Sequence, residues 1–281
     1  MPKTRSRRRK KPRKSVKRNC NPANKDTKIA FNSCISQPMI TNAQFEGNKS
    51  IREVMDECKN DVCIISKITD KSKQTQIENT AFVPKQPREW SLNINEWLSD
   101  LEIVKVLKQY VGAYSNFVFY GPSYIDFDTI VDGKCVEEPL CKFSLQDCIR
   151  RGKTKIAISL NLDDHTGSGS HWVSLYIDVD DRFIFYFDSA GDGMPKEVRT
   201  FVKRVKGQAD FRFRVYSNGP FEHQYGTTEC GMYSLFFFIT MLTNKYEDKV
   251  FTDAKHKINF FMRHRITDKF VENKRFEYFF S

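Results

Sequence analysis

Between residues 93 and 111, large apolar side chains recur at intervals of three and four: Ile94, Trp97, Leu98, Leu101, Val104, Leu107 and Val111. That spacing places them on one face of a helix and predicts an amphipathic α-helix starting near Asn93, with Gly112 as a stop. Phe117-Val118-Phe119-Tyr120 reads as a short strand closed by Gly121-Pro122. Three strand patterns follow in close succession. Residues 155–162 alternate apolar and small side chains, 171–179 are rich in β-branched and aromatic groups, and 183–187 are apolar on both faces, as a central strand requires. Asp180-Asp181 between the last two predicts a tight antiparallel turn. A helix over 195–206 with Pro195 in its first turn, a strand over 211–216, an apolar helix over 232–242 and a further helix over 258–270 complete the pattern. Helices around a mixed, mostly antiparallel sheet give an α+β class. No internal repeat is visible.

Residues 19–86 show no comparable periodicity. Asn, Lys, Thr and Ser outnumber large apolar groups there, and only 51–58 and 62–68 read as short elements. The expected organisation is a basic disordered tail at 1–27, a poorly defined linker or accessory arm at 28–86, and one catalytic domain at 87–281.

Charge sharpens the first of these boundaries. The formal net charge is +11, and eleven of the 46 Lys and Arg residues fall within residues 1–18, where there is no acid, so the remaining basic groups balance the 35 acidic ones. A run containing Arg7, Arg8, Arg9, Lys10, Lys11, Arg13 and Lys14 fits salt-sensitive binding to nucleic-acid phosphates or a nuclear-import signal. The eight cysteines form no short framework, and the chain shows no apolar leader or long uncharged stretch. A secreted or membrane protein is therefore not expected, and the thiols read as reduced, in a cytosolic or nuclear compartment. Cys135, Cys141 and Cys148 lie at intervals of six and seven with no Cys-x-x-Cys and no nearby histidine, so no metal site is expected. Phosphate-loop and dinucleotide glycine motifs are absent, and no cofactor is expected.

The candidate chemistry centres on Cys230, where a polar loop gives way to the apolar helix. A thiol at a helix start lies in the positive end of the backbone dipole field, which favours the thiolate. Gly231 removes side-chain bulk where a substrate backbone would approach. A thiol nucleophile needs a base, and the base needs an orienting group. His171 opens one predicted strand and Asp188 ends the next, so pairing across the Asp180-Asp181 turn would bring them together. His165 is a rival base, in a loop among Asp163, Asp164 and glycines. Gln224 can offer its side-chain amide to an oxyanion beside the Cys230 N–H, a role that Thr227 or Thr228 could share.

The order His171-Trp172, Asp188, Gln224, Cys230-Gly231 resembles the Ulp1-type (C48/adenain-type) cysteine peptidases that cleave ubiquitin-like proteins. Trp97-Leu98-Ser99-Asp100 is similar to the Trp-Leu-x-Asp motif that begins their catalytic domain. The resemblance covers roughly residues 90–245. It implies a cysteine-protease fold, a thiol endopeptidase cleaving a protein substrate at a Gly-Gly-x type site, and a narrow tunnel formed by Trp97 and Trp172. It also implies that Asp100 faces the substrate protein, although an Asp in a first helical turn is equally a partner for the helix dipole. Trp97 reads as clamp or as core anchor of its helix. Asp188-Ser189-Ala190-Gly191 is closer to the Asn-Ser-Ala-Gly style of the African swine fever virus protease, and Gly121-Pro122 and Ile125-Asp126-Phe127-Asp128 also resemble viral members. These features imply the large-DNA-virus branch, whose members mature structural polyproteins. Deconjugation of ubiquitin-like proteins, an acyltransferase using the same triad, and an inactive nucleic-acid-binding virion protein are the alternatives.

Overall fold

The computed structural model describes residues 19–93 and 95–280, so the basic residues Arg7, Arg8, Arg9, Lys10, Lys11, Arg13 and Lys14 lie outside the described residues. In the described chain, the first feature is a small helical unit with its own core. Helices α1 (Gln37–Ile40), α2 (Ile51–Glu57), α3 (Asp61–Ser66) and α4 (Lys71–Ala81) surround Ile35, Val54, Ile65, Ile68, Ile77 and Phe82. Their starts are written locally. Ser50 and Glu53 form a capping box, and Asn60 and Asp70 accept backbone N–H groups of the first turns they precede. Residues 19–27 belong to this unit, since Asn21 N–H donates to the Ala81 carbonyl at 2.9 Å and Cys20 is bonded to Cys34.

The expectation of reduced thiols is corrected here. Cys20–Cys34, Cys58–Cys63 and Cys135–Cys141 are disulfides, while Cys148 and Cys230 are free and buried. The paired cysteines are 14, 5 and 6 residues apart, an unequal spacing that shows no framework in the sequence.

Helix α5 (Asp100–Ala113) begins seven residues after the expected start near Asn93, because Ser99 and Glu102 form a capping box that fixes the start. Trp97 and Leu98 thus lie in the extended segment ahead of the helix, and Gly112 lies inside its last turn. Next come β1 (Phe117–Tyr124), the hairpin β2 (Ile130–Val131) and β3 (Lys134–Cys135), then α6 (Glu138–Cys141) and α7 (Leu145–Arg150). Strands β4 (Lys155–Asn161), β5 (Trp172–Asp178) and β6 (Phe183–Phe187) match the predicted run. They are followed by α8 (Lys196–Gln208), β7 (Arg214–Ser217) and α9 (Cys230–Thr243). A second hairpin, β8 (Lys245–Tyr246) and β9 (Lys249–Val250), precedes α10 (Ala254–Arg263) and α11 (Asp268–Tyr278). The single helix expected at 258–270 is therefore two. Its apolar spacing continues across the break, but Thr267 caps a new helix by accepting the Phe270 N–H.

The main sheet has the order β1-β4-β5-β6-β7, antiparallel at its centre and parallel at both outer pairings. Alternation along its strands sorts side chains between two layers. Tyr176, Phe183, Phe185 and Phe187 face α9, and Leu175, Ile177, Ile184 and Tyr186 face α8. Strand β6 is buried on both faces although β5, not β6, is the middle strand. Helix α9 is buried around its whole circumference, between the sheet on one side and α5 and α11 on the other. Among the described residues, no helix is long and apolar enough to cross a membrane. The result is an α+β fold whose one fully enclosed helix begins at Cys230.

Candidate active site

Strands β5 and β6 pair in antiparallel register, with Ser174 opposite Phe187. His171, one residue before β5, and Asp188, one residue after β6, therefore project from the same edge of the sheet. His171 Nε2–H donates to Asp188 Oδ1 at 2.7 Å. Cys230 is the other group close enough to act on the proton affinity of this imidazole. Burial works against the imidazolium, but the hydrogen bonds and charges of Asp188 and Cys230 outweigh it and raise the His171 pKa to about 10. His171 thus holds its proton across the neutral range, the condition for a thiolate–imidazolium pair.

Asp188 is completely buried and fixed on three sides. Its Oδ1 also accepts the Ala190 N–H at 2.9 Å, its own N–H donates to Asn218 Oδ1 at 2.9 Å, and Asn218 Nδ2 donates to its carbonyl at 2.6 Å. His165, the rival base, is held elsewhere, with Nδ1 at 2.6 Å from Asp126. Cys230 is the first residue of α9, so its N–H is among the helix's unpaired terminal donors. Gln224 is buried on the loop before it. Its Oε1 accepts from Ser189 Oγ at 2.7 Å and its Nε2 donates one hydrogen to the Gly226 carbonyl at 2.9 Å, which orients the second N–H.

Beside the triad runs a cleft of about 380 Å3, lined by Trp97, Asp100, Ser123, Tyr124, Gly169 and Trp172 among others. Trp172 is 9% exposed and its Nε1–H donates to the Leu98 carbonyl at 2.9 Å, whereas Trp97 is 43% exposed. Trp172 is the fixed wall and Trp97 stands on the rim. Asp100, at the first turn of α5, shares the cleft.

The packing gives Gly231 a structural reason beside the one its sequence context suggests. A Cβ there would lie 2.8 Å from Leu98 Cβ and 3.3 Å from Trp172 Cδ1, so the missing side chain lets Leu98 and Trp172 lie directly on the start of α9. Gly231→Ala is expected to destabilise the fold by about 1–3 kcal/mol. Peptidase activity should fall with it, because the overlap displaces Leu98 and Trp172 together. Urea denaturation alongside initial rates checks both, and an alanine variant matching wild type in each would remove this account of Gly231.

Two residues of the site carry no motif. Asp268, at the start of α11, accepts the N–H groups of Tyr225 and Gly226 at 3.1 Å each, and the Tyr233 hydroxyl at 2.9 Å. It therefore moulds the loop leading to Cys230. His223 is buried and held neutral, its pKa pushed down to about 4 chiefly by burial. Its Nε2–H donates to the Phe261 carbonyl at 2.8 Å, and its Nδ1 accepts the Ile266 N–H at 3.2 Å. The Thr267 cap marks a helix start in the sequence, but the partners of Asp268 and His223 are set by tertiary packing alone.

Residues 152–275 match the Ulp1 protease family, C-terminal catalytic domain. A candidate thiol protease of Acanthamoeba polyphaga mimivirus is 28% identical over 165 residues, which are 57% of this chain and 52% of that protein. The chain thus spans about half the length of that relative. A SUMO-1 cysteine protease of African swine fever virus is 28% identical over 222 residues, 66% of this chain and 74% of that one. The crystal structure of an African swine fever virus protease superposes with a TM-score of 0.67 at 21% identity, covering 95% of this chain and 96% of the other. At that coverage the shared fold takes in most of the helical unit as well as the sheet.

Proposed function

We propose that the chain is a Ulp1-like cysteine protease, a reading supported by the family match over residues 152–275 and by its viral relatives, and that it is a thiol endopeptidase that cleaves after small residues, at Gly-Gly-x type sites, in viral structural polyproteins. One observation carries the reading: the His171–Asp188 pair at 2.7 Å, with Cys230 close enough to act on the same imidazole, lies beside a cleft lined by Trp97 and Trp172. Two indole side chains lining the approach leave more room for an extended backbone than for a large side chain, which supports glycine at the residue before the cleaved bond.

In this reading the Cys230 thiolate attacks the scissile carbonyl carbon. The oxygen gathers charge and is met by the Cys230 N–H and the Gln224 amide, each such donor lowering the barrier by roughly 2.7–4 kcal/mol. The C–N bond breaks as the His171 imidazolium gives its proton to the departing amine. Water, deprotonated by the now neutral His171, then hydrolyses the thioester and regenerates the pair. Asp188 holds the ring and offsets its charge throughout. Asp100 on the cleft wall contacts the body of the substrate.

A second reading, processing of a ubiquitin-like protein, is favoured by the name of the African swine fever virus relative. Peptides differing in the residue before the cleaved bond test the specificity. Gly is expected to exceed Leu or Phe by at least about 100-fold in kcat/KM, and equal rates would overturn it. A folded ubiquitin-like substrate cleaved far faster than its own C-terminal peptide would favour the second reading over the first.

A further inference from the structure

Arg275, on α11, is 1% exposed. Its Nη2 donates to the Glu96 carbonyl at 2.7 Å and to Glu229 Oε2 at 3.2 Å, and its guanidinium lies over the buried Trp90 ring at 4.5 Å. Glu229 is 2% exposed, and its Oε1 accepts from Thr228 Oγ1 at 3.0 Å. These are not arbitrary neighbours. Glu96 precedes Trp97, and Glu229 precedes Cys230. The clamp segment 96–98 is consequently held at both ends by its carbonyls, Glu96 by Arg275 and Leu98 by Trp172 Nε1. Trp97 is carried between the two.

Burying a charge pair costs desolvation, and apolar replacements of equal volume often stabilise a fold as well or better. A guanidinium enclosed at this point is therefore poorly explained by stability. Its distinctive property is geometric. One nitrogen fixes the distance between the backbone that carries the clamp and the residue that starts the nucleophile's helix. The carbonyl of Glu229 accepts the Tyr233 N–H at 2.9 Å as the first bond of α9, so seating Glu229 seats the helix start with it.

We propose that Arg275 is a positioning residue which, through Glu229 and the Glu96 carbonyl, holds Trp97 in register with Cys230 so that substrate gripped by the clamp is presented to the sulfur. The inference rests on the reading of Cys230 as nucleophile and Trp97 as clamp. It adds a link between them supplied by α11, a helix that carries neither residue.

The test is a double-mutant cycle on the full chain, with a Gly-Gly-x peptide as substrate and iodoacetamide as a small probe of Cys230 that needs no clamp. Arg275→Met should lower kcat/KM on the order of 10- to 100-fold, while Cys230 alkylation per folded molecule stays within about threefold of wild type. The Trp97→Ala/Arg275→Met double variant should fall no more than about threefold below Trp97→Ala alone, because coupled residues are not additive. Arg275→Lys, which keeps the charge and a single donor nitrogen, should show a smaller loss with the same non-additivity, and it carries the cycle if the Met variant does not fold. Wild-type kcat/KM in Arg275→Met, or a double variant equal to the product of the singles, would overturn the proposal. A Cys230→Ala protein that still cleaves the peptide would instead remove the reading of the site beneath it.

Discussion

Replacing Cys230 by alanine is expected to lower kcat/KM on a Gly-Gly-x peptide by on the order of 10⁴-fold or more. In the proposed mechanism the sulfur is the atom that becomes bonded to the acyl group, and neither His171 nor Gln224 can substitute for it. What survives such a deletion is substrate binding and oxyanion stabilisation. Because Cys230 is buried at the first turn of a helix enclosed on all sides, losing one sulfur should leave the fold in place, so circular dichroism should match wild type while turnover is lost. Initial rates with the peptide, and an N-terminomic comparison of wild-type and Cys230→Ala proteins on substrate lysate, measure the effect. A Cys230→Ser or Cys230→Ala protein that cleaves as well as wild type would refute the assignment.

Asp188→Asn should cost nearly as much, on the order of 10³- to 10⁴-fold in kcat, since an amide can present the wrong partner to Nε2 and select the wrong tautomer. It should also reshape the pH profile. The imidazolium of His171 is disfavoured by burial but held by Asp188 and Cys230 up to about pH 10. A raised pKa means that the proton is bound more tightly in the folded protein than in the unfolded chain. The associated stabilisation is complete below pH 6.5 and drains away as pH rises through about 10. Removing the Asp188 charge moves the folded-state value down, so the alkaline limb of kcat/KM should shift several tenths of a pH unit or more toward neutrality. Rate–pH curves of the two proteins, with the C2–H resonance of His171 followed by NMR, report this directly. An unchanged alkaline limb in Asp188→Asn would mean that another group holds the ring.

Much of this arrangement is legible in the sequence because it is written in local patterns. The alternation along β4, β5 and β6 and the short turn at Asp180-Asp181 determine that the residue before one strand and the residue after the next meet at one edge, and this puts His171 beside Asp188. The apolar run of α9 predicts its burial. Other features escape because their signals compete. The spacing of Ile94, Trp97 and Leu98 is helical, but Ser99 and Glu102 cap the helix two residues beyond Trp97, and the capping box wins over periodicity. That displacement frees Trp97 for the cleft rim and Leu98 for contact with Gly231. The break between α10 and α11 was masked by apolar spacing that runs on through it. The paired cysteines are close in sequence but unequally spaced, so they form no motif, whereas the partners of Asp268 and the burial of Arg275 depend on residues far apart in the chain.

The grip of Asp268 on the loop at Tyr225 and Gly226 spans 43 and 42 residues of chain. On the ribosome, Cys230 is therefore made well before the carboxylate that shapes its approach. On the proposed reading of Cys230 as nucleophile, the loop ahead of it has no carboxylate template until α11 has been synthesised and has docked. If the enzyme does process polyproteins, this order of synthesis favours finished molecules over its own growing chain as the first to be cut.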